Sequence, residues 1–331
     1  MSITVIRKKA PFYLKPVLKK TFSASILGIG KVLKGGIAIK SFWISVASIS
    51  VFVVVVLTAL LNLTFYIDDS GLHYVLVKDI DVFKSEGSIE FDSIEIISPG
   101  ANLTIKKGET LAYEFSAASS INTKHSIENG KLKIEQELKG KVFGLQIANN
   151  DDHITVYVPE KKTLKEIEAS CKIGRYLFEG LQVDSLSHEV LHGDTDLLYS
   201  KIGELNIDIK SGDLLIEQTP AEKAAINMVS GSLRATNFDT KELDFDFITG
   251  DFRLEGKREG KTRLECFAAD MDILIYKKDE LFDYDIQAKD GEIIFDEQPQ
   301  GTYKKIDNKS ENKFYVRNEK GDINIKFEES Y

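Results

Sequence analysis

Acidic side chains recur in this sequence one step behind short turns. Asp194, Asp213, Asp251 and Asp270 close the tripeptides His192-Gly193-Asp194, Ser211-Gly212-Asp213, Thr249-Gly250-Asp251 and Ala268-Ala269-Asp270, while Glu292 and Asp322 follow Gly291 and Gly321 in the same way. Carboxylates stacked about 5 Å apart are hard oxygen donors suited to Ca2+, and a pair of them can act as acid and base in polysaccharide cleavage. These four aspartates are therefore the candidate metal ligands, and a polysaccharide lyase or hydrolase is the enzymatic alternative. Two facts favour a plainer role. Asp is preferred in turns for its local hydrogen bonding, and Arg175 and Ser232 interrupt the file.

His188, His192, Asp194 and Asp196 form the densest group of metal-capable side chains. Even spacing in a strand puts them on one face until the glycine turn intervenes. His188, however, stands in the column of Ile207, Ile226 and Phe245, which predicts a core histidine with a hydrogen-bond partner. Cys171 and Cys266 share one inward column five repeats apart, roughly 24 Å and far beyond the ~7 Å reach of a disulfide. They are expected to be small buried hydrophobes. No phosphate-cradling loop, nucleophile elbow or CxxC pair is present, so no catalytic or cofactor-binding residue is expected; Ca2+ at the corner carboxylates and zinc at the histidine–aspartate group are the ions to weigh.

The elements that position these residues follow from a repeat. Turn residues fall at 174, 193, 212, 231, 250 and 269, a period of 19, with further matches at Gly291 and Gly321 after insertions of 3 and 11 residues. Apolar side chains lie seven, five and three residues before each turn and two and four after it, as in Leu205, Ile207, Ile209, Leu214 and Ile216. Period-two alternation means half-buried strands. A 19-residue unit has no partner for its apolar face, so copies must stack, each strand pairing in parallel with the next. The expected fold class is all-β, a parallel β-solenoid with 19-residue coils, preceded by a single transmembrane α-helix. Residues 68–160 read as an irregular β lead-in, residues 161–331 as the regular coils, and residues 324–331 as an edge that ends the stack.

Charge divides the chain. Residues 1–41 form a basic tail with nine Lys or Arg and no acid, whereas residues after 67 carry 34 basic against 52 acidic side chains, a net −18. Residues 42–67 hold no charge over 26 positions, enough to cross a ~30 Å hydrocarbon core, with Trp43 at one end and Phe65 and Tyr66 at the other. The positive flank predicts a cytoplasmic N-terminus and an extracytoplasmic body. The lipid bilayer, met through residues 42–67 of a plasma or inner membrane, is thus an expected partner. Nucleic acid is not, because a body at −18 repels it.

Ile154-Thr-Val156-Tyr-Val158-Pro159, then Leu164-Lys-Glu-Ile167-Glu-Ala, then the Ser-Gly-Asp-type coils, resemble a bacterial domain of unknown function called the putative-adhesin family, which includes LiaG-like cell-envelope proteins. The resemblance covers roughly residues 85–328 and carries no catalytic motif. It implies an envelope protein whose strand faces meet a protein or glycan partner, a binding, adhesion or scaffolding module and not an enzyme. Outward acids such as Asp208, Asp244, Asp246 and Glu265 would favour cationic partners.

Overall fold

A computed structural model describes residues 6–7, 63–68, 71–76, 80–85, 88–118, 120–139, 141–143 and 152–328. The chain forms two compact units. The first comprises Met1–Val82, Ala118–Ile121 and Leu138–Asn149. Within it Leu63–Asp68 lies between Gly71–Leu76 and Lys141–Phe143 in an antiparallel three-stranded sheet. The last five residues of the predicted span, 63–67, are therefore extended and not helical; their run of Thr, Phe, Tyr and Ile is β-branched and aromatic, which suits a strand. Residues 42–62 lie outside the described residues. Among those described, no helix is long and apolar enough to cross a membrane.

The second unit, Phe83–Ala117, Asn122–Glu137 and Asn150–Tyr331, is all-β and built on parallel pairing. Thr163–Glu179 pairs with Gln182–Leu198 over nearly its whole length, with partners such as Ile167↔Leu186 and Gly174↔Gly193 one 19-residue step apart. The step continues through Lys201–Ile209, Leu214–Glu217, Ala221–Thr236 and Thr240–Gly256. Between Thr240–Gly256 and Arg258–Ala268 the register shifts locally, from an 18-residue step at Thr240↔Arg258 back to 19 at Glu242↔Lys261.

Every inward column predicted from the alternation is buried. Ile167, Leu186, Leu205, Ala224, Leu243 and Thr262 form one such row, and Phe178, Leu197, Ile216, Ala235, Leu254 and Ile273 another. Full burial of a large aliphatic side chain contributes about 1.5–3 kcal/mol, so the stacked rows are the main source of stability. Cys171 and Cys266 are buried and free, and burial pushes their thiols up to about 12 and about 11.

The order of coils departs from the order of sequence at both ends. Lys313–Lys320 pairs in parallel with Arg258–Ala268 on one side and with Asp283–Asp290 on the other, and Ile323–Phe327 sits likewise between Met271–Ile275 and Ile293–Phe295. The expected edge at residues 324–331 is thus an interior coil through Phe327. The reason lies in the two insertions: residues 276–282 carry the chain past one vacant rung, and residues 298–312 bring it back to fill that rung. Tyr303–Ile306 runs antiparallel along Asp283–Asp290 and covers the outer edge. Its Lys304 and Lys305 are the kind of charge that discourages further strand pairing.

The lead-in mirrors this arrangement. Ser93–Ser98 and Asn102–Gly108 stack directly beneath Thr163–Glu179, while Lys131–Leu138 and His153–Pro159 lie beyond them. Within the region read as an irregular lead-in, the strands Ser93–Ser98, Asn102–Gly108, Lys131–Leu138 and His153–Pro159 thus share one sheet with the repeat.

Candidate interaction surface

The glycine corners are required by stacking as well as by backbone angle. Gly212, Gly231 and Gly250 have φ of 141°, 137° and 140°. A Cβ on any of them would strike the carbonyl oxygen of the preceding corner glycine, Gly193, Gly212 or Gly231 respectively. Ala269 takes the place of glycine at one corner. There the buried Asn318 of the intercalated coil donates Nδ2 to the Ala269 carbonyl at 2.7 Å and to the Gly321 carbonyl at 3.0 Å, so the altered turn is stabilised from within.

The corner carboxylates serve the backbone. Asp194 Oδ1 accepts the Asp213 N–H at 3.2 Å, Asp213 Oδ1 accepts the Ser232 N–H at 2.8 Å, Asp270 Oδ1 accepts from Asp322 at 3.0 Å and Asp322 Oδ1 from Glu292 at 2.8 Å. Asn102 does the same for Arg175 at 2.9 Å. Each side chain thus caps the next coil, and the direction of capping follows the intercalated spatial order. Asp251 occupies the same exposed column beside Ser232. Among the described residues no group of three or more His, Cys, Asp or Glu side chains is placed to hold a metal.

A second corner, six residues beyond the first, was not legible from a single residue type. Gly180, Tyr199, Gln218 and Asn237 occupy it with φ of 67°, 52°, 47° and 51°. It too is laddered: Leu181 N–H donates to Ser200 Oγ at 3.1 Å, and Ser200 N–H donates to Thr219 Oγ1 at 3.1 Å. The available signal was Ser200 and Thr219, two hydroxyls recurring at 19 residues in a column that otherwise holds Leu181 and Phe238.

His188 is wholly buried, its Nδ1 3.1 Å from the Ala169 carbonyl and its ring edge-on to Tyr176 and Phe178 at 4.8 and 5.0 Å. Desolvation lowers its pKa to about 4. His192 and Asp194 are exposed and Asp196 is half-buried, so the four residues of the histidine–aspartate group do not converge. Arg258 is also buried, donating to the carbonyls of Phe238 and Lys257; burial lowers its pKa to about 10.

On the outward face the acids are partly engaged. Arg263 bridges Asp244, Asp246 at 3.1 Å and Glu265 at 2.8 Å, and Lys210 holds Asp208 at 2.7 Å. The Arg263 contacts with Asp244 and Asp246 depend on which coils are neighbours, whereas Lys210 with Asp208 and Arg263 with Glu265 pair two residues apart along one strand.

Among solved structures, a putative cell adhesion protein from Clostridium sporogenes is similar at 16% identity over 75% of this chain and 98% of its own, with a TM-score of 0.24. A putative adhesin from Bacteroides fragilis is 14% identical over 76% and 97%, TM-score 0.32, and one from Parabacteroides merdae is 11% identical over 75% and 95%, TM-score 0.39. No curated protein matches. The sequence profile of Toastrack DUF4097 matches residues 91–326, which spans the parallel ladder described above up to its last residue, Phe327. By that match the chain belongs to the Toastrack DUF4097 family.

Proposed function

We propose that the second unit is a β-solenoid acting as a non-enzymatic binding, adhesion or scaffolding module of the cell envelope, held to the outer side of a membrane by the uncharged segment at residues 42–62, ahead of the strand Leu63–Asp68. The observation that carries this reading is how the polar corner groups are used. Three of the four candidate corner aspartates, Asp194, Asp213 and Asp270, cap backbone N–H groups, as does Asp322, and the inward faces are committed to core. What remains free is outward strand surface, which suits recognition. The uncharged segment and its basic flank support the anchoring.

Photo-crosslinkers placed on outward strand positions such as Asn206 and Asn227 of the full chain, in intact membranes, test the reading. The expected result is a discrete adduct with an envelope protein or glycan. It is overturned if outward positions give no adduct, or if the purified chain turns over a polysaccharide and loses that activity in the double variant Asp213→Asn with Asp251→Asn.

A further inference from the structure

The outward surface beside the glycine corner carries an ordered pattern that the family match does not explain. Two residues before the corner, Leu191, Val229, Ile248 and Phe267 are exposed at 45%, 38%, 48% and 50%, and Lys172 holds the position on the coil beside Leu191. Lys210 fills the same position in the coil between the first two, and its side chain turns to Asp208. Val229, Ile248 and Phe267 lie on adjacent coils, flanked by the rungs Met228↔Phe247 and Phe247↔Cys266. They form one apolar row running across the strands, with Lys320 Nζ 5.4 Å from the Phe267 ring centroid at its end.

That row lies between two acidic rows. On one side, paired rung by rung, stand Glu189, Asp208, Asn227, Asp246 and Glu265. On the other, past the corner, stand Asp194, Asp213, Ser232, Asp251 and Asp270. Lys210 pairs with Asp208, and Arg263 with Asp246 and Glu265, so among the acids of the first row Glu189 alone stands outside these ion pairs. The second row keeps its charge, since the capping bonds of Asp194, Asp213 and Asp270 come from neutral backbone N–H groups.

We propose that this stripe is a docking site for a cationic amphipathic α-helix of a partner protein. The inference rests on the binding-module reading and names its site and partner class. Charge complementarity selects the occupant: an apolar surface bordered by the unneutralised corner carboxylates, with the opposite border largely ion-paired, matches an apolar helix face flanked by Lys and Arg. The same borders repel a second copy of this chain and an anionic lipid surface. Five coils at ~4.8 Å place Leu191 and Phe267 roughly 19 Å apart, the length of about 13 helical residues at 1.5 Å rise. The helix axis would lie across the strands, along the row.

The test uses the full chain in zwitterionic-lipid nanodiscs, with empty nanodiscs as blank. The probe is a fluorescent 16-residue Leu/Lys peptide with leucines at helical spacing, compared with a scramble of equal composition, and anisotropy is the readout. The helical peptide is expected to bind at least tenfold tighter than the scramble. Ile248→Ser with Phe267→Ser should weaken it at least tenfold with unchanged Tm, Asp251→Asn with Asp270→Asn severalfold, and 300 mM salt relative to 50 mM should weaken it further. Equal binding of the scramble, indifference to the Ser variants, or a self-associated chain that those variants dissociate each overturns the proposal. If a crosslinked envelope partner is captured as well by the Ser variants as by the parent chain, the stripe is refuted while the binding-module reading stands.

Discussion

His188 shows how one buried side chain makes stability depend on acidity. Its imidazole has a pKa of about 4 in the folded chain against 6.5 ordinarily, so the unfolded chain takes up the proton first as pH falls. The stability tied to the neutral ring is full above about pH 6.5 and is lost as pH drops towards 4, on the order of 3 kcal/mol in all. Urea denaturation at pH 7 and pH 4.5 should therefore show a smaller acid loss in His188→Leu than in the parent chain. Glycines separate by the same kind of local reasoning. Gly231→Ala forces a Cβ into the Gly212 carbonyl at a φ of 137° and should cost roughly 2–4 kcal/mol in thermal or urea unfolding. Gly100→Ala meets no atom within 4 Å and should be close to neutral. Position in the repeat, and not residue type, decides between the two.

At the scale of the element, the corner ladder is a shared support in which each coil caps the next. Asp213→Ala removes the acceptor for the Ser232 N–H and should cost about 1 kcal/mol, whereas Asp213→Asn keeps an oxygen there and should cost less. A chemical-denaturation comparison of the two variants separates capping from charge. Much of this level was legible in the sequence. The 19-residue period, the inward columns around Ile207 and Phe245 and the glycine corner all follow from alternation and turn chemistry. The second corner was hidden because Gly180, Tyr199, Gln218 and Asn237 share a backbone angle and not a side chain. The use of the corner aspartates was hidden too, since spacing shows which carboxylates line up but not which N–H groups face them.

For the whole molecule, the hidden feature was the order of stacking. Repeats read along the chain place the coil of Gly321 last, yet the ladder puts it between those of Ala269 and Gly291. No local pattern distinguishes the two orders. The choice depends on insert lengths and on contacts such as Asn318 with Ala269, 49 residues apart. Contacts this distant delay closure of the fold until the last residues are available. A chain truncated after residue 312 should lose cooperative unfolding at its C-terminal coils, seen as lost amide protection across Arg258–Ala268 and Asp283–Asp290. Lys201–Ile209, several rungs away, should retain its protection.

The mirrored order at the two ends has a mechanical consequence. Ser93–Ser98, among the first strands of the ladder, is gripped by a parallel neighbour on each side. Tension transmitted along the preceding chain would load it in shear, so its rungs must yield together and not unzip singly. An outermost strand at that position could be peeled away one hydrogen bond at a time. A strand clamped on both sides so near the start of the ladder thus resists a pull along the chain better than a peripheral one would.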